Sequence, residues 1–282
     1  MSNELLLGFD LEDINMMLPA RTHMASRVDM NVQRILNWLN TQKIRATFFT
    51  VGQLAIKFPS LIREIVDEGH EIACHSFSHM TLDRFNKETF KRDLDLNCEA
   101  LYAAGSSAIT GFRAPVFSMT EKTSWVYDVL KSSGFLYSSS VLPSTRALYC
   151  WPSFESDSPV YMNDGLLEIP MSVGRVGNLR IPFSGGIYLR VLPFLINQIM
   201  IKRRINSENP LVSYVHPYDF DPDEPHFMYP ELGNSRVLNY LMYMNRHQTF
   251  NRLEKIIGFG YKTLSYREFA DRKMEEKRTK HV

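Results

Sequence analysis

From residue 4 to residue 140 the chain alternates short apolar runs with amphipathic stretches, and this rhythm narrows the folds open to it. ELLLGF (4–9), ATFFTV (46–51), HEIAC (70–74), ITGFR (109–113) and FLYSSS (135–140) have the length of strands, and several are rich in aromatic or β-branched residues. Residues 28–43, 53–68, 87–104 and 121–133 separate them with helical spacing. In the first of these, Val28, Val32, Ile35, Leu36 and Leu39 share one face. Gly69, Gly105 and Gly134 then act as stops. Strand and helix in strict succession predict a mostly parallel sheet covered by helices.

The second half is less regular. Residues 141–187 are richer in Pro, Ser and Gly and predict loops with short strands. A helix over 191–205 precedes the strand LVSYVH (211–216). A helix over about 234–257, a strand at 261–264 and a charged terminal helix follow. No repeat or linker interrupts the chain, so a single domain over 1–282 is expected, with a C-terminal helical extension from about 234.

Composition fits one large core: 44% of the 282 residues are hydrophobic and 12% aromatic. With 32 basic against 31 acidic residues, the net charge of +1 argues against a nucleic-acid partner. The longest apolar stretch, GIYLRVLPFLINQIMI (186–201), contains Arg190, Pro193, Asn197 and Gln198. It falls short of the ~20 apolar residues of a spanning helix. Peripheral contact with a membrane carrying a lipid-linked glycan is one fate of its apolar face, and packing against the sheet is the commoner one. MSNELLLGFD lacks the basic region of a signal peptide, and Cys74, Cys98 and Cys150 form no CxxC. A cytoplasmic protein with reduced thiols is the expectation. The terminal RKMEEKRTKHV reads as a solvated helix end.

Polar residues cluster where the strands end. Asp10, Glu12 and Asp13 follow the first strand, His75 and His79 the third, Arg113 ends ITGFR, and His216 ends LVSYVH. In parallel α/β folds the carboxyl ends of the strands share one face, so these residues are expected to converge. Two histidines and a carboxylate make a three-ligand metal set with an open position. A second carboxylate can serve as base, a separate histidine as acid, and an arginine can hold the base. Each part alone has an ordinary reading: HxxxH on a surface, DLED as a helix cap, Arg113 as an ion-pair partner. Their joint placement points to metal-assisted hydrolysis of an amide or ester. No GxSxG, GxGxxG or P-loop offers a rival chemistry.

GFDLED, HSFSHMTL, GFRAP and YVHPYDFDP, in this order, resemble the motifs of the polysaccharide deacetylases of carbohydrate esterase family 4, the NodB homology family. PFSGGIYLRVLPF and HPYDFDPDEPHF are similar to a subgroup associated with exopolysaccharide and surface-glycan biosynthesis. The resemblance implies a distorted (β/α) barrel with about seven parallel strands, one divalent metal ion with zinc first in line, and removal of acetyl from an N-acetylated sugar. It implies Asp10 as base, His75 and His79 as metal ligands, Arg113 as the group orienting the base, and His216 as acid. The family's adjacent aspartates are replaced here by Asp10-Leu11-Glu12-Asp13. Either Glu12 or Asp13 can complete the metal set, and the shorter Asp13 is slightly preferred. Ser138 stands where the subgroup tends to carry an aspartate, which leaves the tuning of His216 open.

Pro115, Tyr188 and Tyr218 are candidates for substrate contact, and Trp151 for sugar stacking. Gly185 and Gly186 read equally as a substrate loop and as a turn. His70 reads as structural, Cys74 as a buried thiol, and His23, His226, His247 and His281 as exposed. The substrate would be a sugar or glycan precursor, free, nucleotide-linked or lipid-linked. Another amide or imide hydrolase on the same fold, or an inactive glycan-binding relative, are the competing readings.

Overall fold

In the computed structural model, residues 3–16, 25–145, 149–162, 165–229, 232 and 235–279 are described. His23 and His281 lie outside them. Strand β1 (Glu4–Leu11), buried along its whole length, is the hub of the sheet. On one side it pairs in parallel with β10 (Leu211–Val215). On the other it pairs with β11 (Lys262–Leu264) at Glu4–Leu6 and with β2 (Thr47–Thr50) at Gly8–Leu11. From β2 the sheet continues in parallel through β3 (Glu71–Cys74), β4 (Gly111–Phe112), β5 (Tyr137–Ser138) and β7 (Leu166–Glu168). The antiparallel strand β6 (Val160–Met162) ends it.

The path from β10 to β7 is the expected parallel series, and among the described residues the sheet holds nine strands, one of them antiparallel, where about seven parallel strands were expected. The additions are β6, which returns from the Pro/Ser/Gly-rich region, and β11, which joins the hub alongside β2. A separate hairpin, β8 (Val173–Val176) and β9 (Leu179–Pro182), stands apart. The curled sheet is open, because β7 and β10 do not pair. Serine hydroxyls bridge this gap instead. Ser172 Oγ accepts the Val212 N–H at 2.9 Å, Ser184 Oγ donates to the Val212 carbonyl at 2.7 Å, and Ser213 Oγ donates to the Ser184 carbonyl.

The helices are α1 (Val28–Gln42), α2 (Gly52–Lys57), α3 (Pro59–Asp67), α4 (Lys87–Ala103), α5 (Val126–Ser132), α6 (Gly186–Val191), α7 (Phe194–Lys202), α8 (Arg236–Tyr243), α9 (Thr249–Ile257) and α10 (Tyr266–Thr279). Two stretches expected as single helices, 53–68 and 234–257, are each two, and the helix expected over 191–205 is α7 alone, preceded by the additional α6. Pro59 and Pro193 lack the N–H that a continuing helix needs, and they separate α2 from α3 and α6 from α7. Asn245, left-handed at φ 57°, separates α8 from α9.

Strand pleating sorts β1 into two faces. Leu5, Leu7, Phe9 and Leu11 enter the core beneath the helices, where Phe9 stacks on Phe48 at 4.9 Å. Leu6 enters the inner core with Phe49, Ala73, Tyr137 and Tyr214. Helix α10 adds Tyr266, Phe269 and Ala270 to that inner core.

Candidate active site and metal centre

The same pleating places the first carboxylates. Asp10 and Glu12 are two residues apart, so both fall on the inner face with Leu6 and Gly8. Asp13 falls on the other parity, where its Oδ1 accepts from Asn15 and its Oδ2 lies 3.6 Å from Lys57 Nζ on α2. Glu12, His75 and His79 each bring a ligand atom to within 4.8 Å of the others. The Glu12 Oε2 to His79 Nε2 distance is 2.5 Å, and the two imidazoles cross edge-on at 5.2 Å. The slight preference for Asp13 as the carboxylate ligand is therefore corrected: Glu12 faces the two histidines.

His75 continues β3, and its Nδ1 bonds the Arg113 carbonyl at 2.8 Å, which leaves Nε2 for the cluster. Burial and the neighbouring His79 lower its pKa to about 3, so the ring is neutral and able to ligate. Burial pushes the Glu12 carboxyl up, but His79, His216 and His75 outweigh it and the net shift is downward. A neutral imidazole with its second nitrogen anchored, a second imidazole and a buried carboxylate fit a divalent ion.

The backbone of HSFSH is left-handed at Ser76 (φ 66°) and His79 (φ 54°), and it is held from α4. Asp93 accepts four hydrogen bonds from this loop: from the Phe77 and Ser78 N–H groups and from the Ser76 and Ser78 hydroxyls, at 2.7–3.2 Å. Asn97 Nδ2 donates to the carbonyls of Thr50 and Ser76. Asp93→Ala would orphan the buried Ser76 hydroxyl along with the loop N–H groups. It is expected to lower stability by about 2–4 kcal/mol in urea titration and metal affinity by roughly 10- to 100-fold. Unchanged values in both measurements would show that Asp93 does not hold the loop.

Arg113 is fully buried. Its Nη1 donates to Asp10 Oδ1 at 2.6 Å, its Nη2 to Tyr266 OH at 2.7 Å and Ser139 Oγ at 3.1 Å, and its Nε to the Ser139 carbonyl at 3.0 Å. The guanidinium lies 3.9 Å from the Phe49 ring centroid. Gly8 makes room for it, since a Cβ there would stand 2.8 Å from Arg113 Nη1.

His216 approaches from β10, with Nε2 3.9 Å from Asp10 Oδ2 and 3.7 Å from Glu12 Oε1. Its ring stacks on Tyr218 at 4.6 Å, and Tyr218 OH donates to Glu12 Oε1 at 3.2 Å. Nδ1 bonds Asp219 Oδ2 at 3.0 Å, and Asp219 in turn pairs with the fully buried Arg190 at 2.8 Å. Burial pulls the His216 pKa down, but Asp219, with Glu12 and Asp10, outweighs it and raises the value to about 9. Asp219 itself is held well below the usual carboxylate range, as Arg190 and His216 overcome its burial. A carboxylate thus meets His216 without an aspartate at 138. Ser138 Oγ turns to Ser140 Oγ at 2.8 Å, and the partner of His216 comes from three residues further along its own chain.

An acid that works protonated is active below its pKa and loses activity as pH rises through it. Asp219→Asn removes the charge that raises the His216 pKa. The alkaline limb of kcat/KM is expected to move down by about 1–3 pH units. A limb that stays in place would remove His216 from the role of acid.

Residues 24–135 match the Polysaccharide deacetylase family, and residues 139–271 match a family described as a domain of unknown function, DUF3473. Over residues 24–135 the chain is thus similar to the polysaccharide deacetylases. A peptidoglycan-N-acetylglucosamine deacetylase of Bacillus cereus is 32% identical over 88 residues, which is 31% of this chain and 32% of that protein. A chitooligosaccharide deacetylase of Sinorhizobium fredii is 32% identical over 100 residues, which is 35% of this chain and 44% of its own. The chain thus matches less than half the length of either. A solved Mycobacterium smegmatis protein assigned to the polysaccharide deacetylases superposes with a TM-score of 0.63 at 19% identity, covering 98% of this chain and 92% of that one. This likeness extends the shared fold across nearly the whole chain.

The polar groups open into a cavity of about 190 Å³. Asp10, Glu12, His75, His79 and His216 form one wall. Val116, Phe117, Tyr214, Tyr218, Tyr229, Leu232 and Met242 form the rest. Of the three expected substrate contacts, Tyr218 lines the cavity. Pro115 does not: it begins a tight turn whose left-handed Val116 and Phe117 face inward in its place. Tyr188 sits on α6 outside the cavity, and Tyr214 occupies the wall instead. Gly185 and Gly186 let the start of α6 pass over the Tyr214 ring, and a Cβ on Gly186 would meet that ring at 2.9 Å. Trp151 lies outside the cavity, with Nε1 bonded to Ser153.

Proposed function

We propose that the chain is a metal-dependent N-deacetylase that releases acetate from an N-acetylated amino sugar in surface-polysaccharide biosynthesis. The observation that carries this reading is the meeting of one triad and two pairs at one small cavity. Glu12 and the HSFSH histidines can hold the metal, Arg113 fixes Asp10, and Asp219 fixes His216. Bound there, a divalent ion, zinc by its donor set, would polarise the amide carbonyl and acidify water.

The chain's own residues supply the rest. Asp10 Oδ1 is tied to Arg113, which leaves Oδ2 to take a proton from the attacking water. The water oxygen bonds to the acetyl carbon. His216 then gives its proton to the amine nitrogen as the C–N bond breaks. Acetate and a free amino sugar leave. The apolar wall of Val116, Phe117, Leu232 and Met242 suits the acetyl methyl group, and Tyr214 and Tyr218 offer faces to a sugar ring.

We read residues 1–282 as one domain despite the two family matches. β5 pairs with β4 from the first stretch and β7 from the second, and the hub β1 pairs with β10. We read the substrate as a cytoplasmic sugar or glycan precursor, with free, nucleotide-linked and lipid-linked forms all open.

The test is acetate release from a panel of N-acetylglucosamine monomers, oligomers and nucleotide-linked forms, with cyclic imides alongside. Acetate from at least one amino sugar supports the proposal. Turnover of imides alone, with no acetate, would replace it with an imide hydrolase. No turnover by metal-loaded protein would leave an inactive glycan-binding relative.

A further inference from the structure

We propose that the outward faces of α7 and α8 form a docking surface for an anionic lipid bilayer. A helix lying on a soluble protein ordinarily turns its apolar side inward and its polar side to water. Helix α7 departs from this and is apolar on both faces. Its inward face buries Asn197 beside Met200 and Ile201, and the Asn197 amide is used up on the Phe183 and Tyr188 carbonyls. Its outward face carries Leu195, Ile196 and Ile199, exposed by 67%, 39% and 44%. Helix α8 buries none of its residues and leaves Val237, Leu238 and Tyr240 exposed by 70%, 46% and 66%. Both helices pack on α6, and Arg190 of α6 ties down the end of α8 through the carbonyls of Met242 and Met244.

Charge identifies the occupant. The whole chain is nearly neutral, yet from Ile169 to Ser207 it carries six basic residues and no acidic one. From Leu232 to Leu253 it carries three basic residues and none acidic. Arg190, Arg246 and Arg252 among these are buried, and three of the exposed members edge the apolar faces. Lys202 and Arg203 follow Leu195, Ile196 and Ile199 at the end of α7, and Arg236 opens α8. Lys255 of α9 sits 5.5 Å from the Phe194 ring at the start of α7. Glu254, the acidic neighbour of Lys255, is engaged by Trp38 Nε1. Apolar side chains edged by exposed lysine and arginine match the acyl boundary and the anionic headgroups of a bilayer. Among the described residues no helix is long and apolar enough to cross a membrane, so the contact would be peripheral. Leu232, just before α8, and Met242, within it, also line the catalytic cavity, so the mouth of the site would lie near the lipid surface. The surface argument does not depend on the reaction assigned to the site.

Co-sedimentation of the full chain with vesicles tests this. Vesicles of phosphatidylcholine are compared with vesicles of phosphatidylcholine and phosphatidylglycerol at roughly three to one. The expected result is binding to the mixed vesicles, weakened by salt and at least about tenfold weaker to phosphatidylcholine alone. Leu195→Ser with Ile199→Ser, and separately Lys202→Glu with Arg203→Glu, should each lower the affinity about tenfold or more. All four positions are exposed, and far-UV circular dichroism with a thermal melt confirms that the variants fold. Absence of binding to either vesicle would overturn the proposal. So would equal binding by wild type and both variants. A dimer that Leu195→Ser with Ile199→Ser dissolves, in protein that ignores vesicles, would make the surface a self-association interface instead.

Discussion

Replacing His75 and His79 together by alanine is expected to take bound divalent metal from about one per chain to none and to lower acetate release by roughly a thousandfold or more. Among the described residues the cluster has one further donor, Glu12, and a single carboxylate does not retain the ion through purification. The fold should survive. Removing the His75 ring leaves the Arg113 carbonyl without that partner and opens a small void, at a cost of about 1–3 kcal/mol. Elemental analysis beside a urea titration separates the two effects. Full metal content in a folded double variant would move the metal site elsewhere in the chain and take the proposed chemistry with it.

Asp10→Asn should behave in the opposite way: full metal content, with kcat lower by ~10²- to 10⁴-fold. Asparagine keeps an acceptor for Arg113 Nη1 but cannot take a proton. The fully buried guanidinium then loses its counter-charge, and unfolding should be easier by about 3 kcal/mol. Its remaining hydrogen bonds to Tyr266 and Ser139, and its contact with the Phe49 ring, keep it in place. Activity within a few-fold of wild type would assign the base to another group, and Glu12 would be the next to test.

The parallel order from β1 to β5 was legible because short apolar runs alternate with helical periodicity. The convergence of Asp10, His75, Arg113 and His216 followed from one rule about strand ends. The choice between Glu12 and Asp13 also lay in the sequence. They follow Asp10 at two and three residues, and a pleat that continues past the last paired residue sends Glu12 inward and Asp13 toward α2. Treating the segment as a free loop hid this. Ser138 misled for another reason. A single substituted position was weighed alone, while the compensating carboxylate stood in plain sight in HPYD. Asp93, Asn97 and Tyr266 gave no signal. A polar residue on a helix reads as solvated until the segment packed against it is known, and only the tertiary fold brings HSFSH over α4 or Tyr266 beneath Arg113. The helix breaks at Pro59 and Pro193 follow from the missing N–H and needed no structure.

Tyr266 sets an order of events for a chain leaving the ribosome. Asp10 and Arg113 emerge early, yet the buried guanidinium meets its Tyr266 hydroxyl only after more than a hundred and fifty further residues. The hub strand likewise waits for β10 and β11, and Glu4 waits for Arg272. Until then a charge and the edges of a hydrophobic strand stand exposed in a half-made sheet, the condition in which nascent chains aggregate. A ribosome stalled before residue 266 would thus hold a chain with every polar group proposed for catalysis already present and the Arg113 guanidinium still without its Tyr266 hydroxyl.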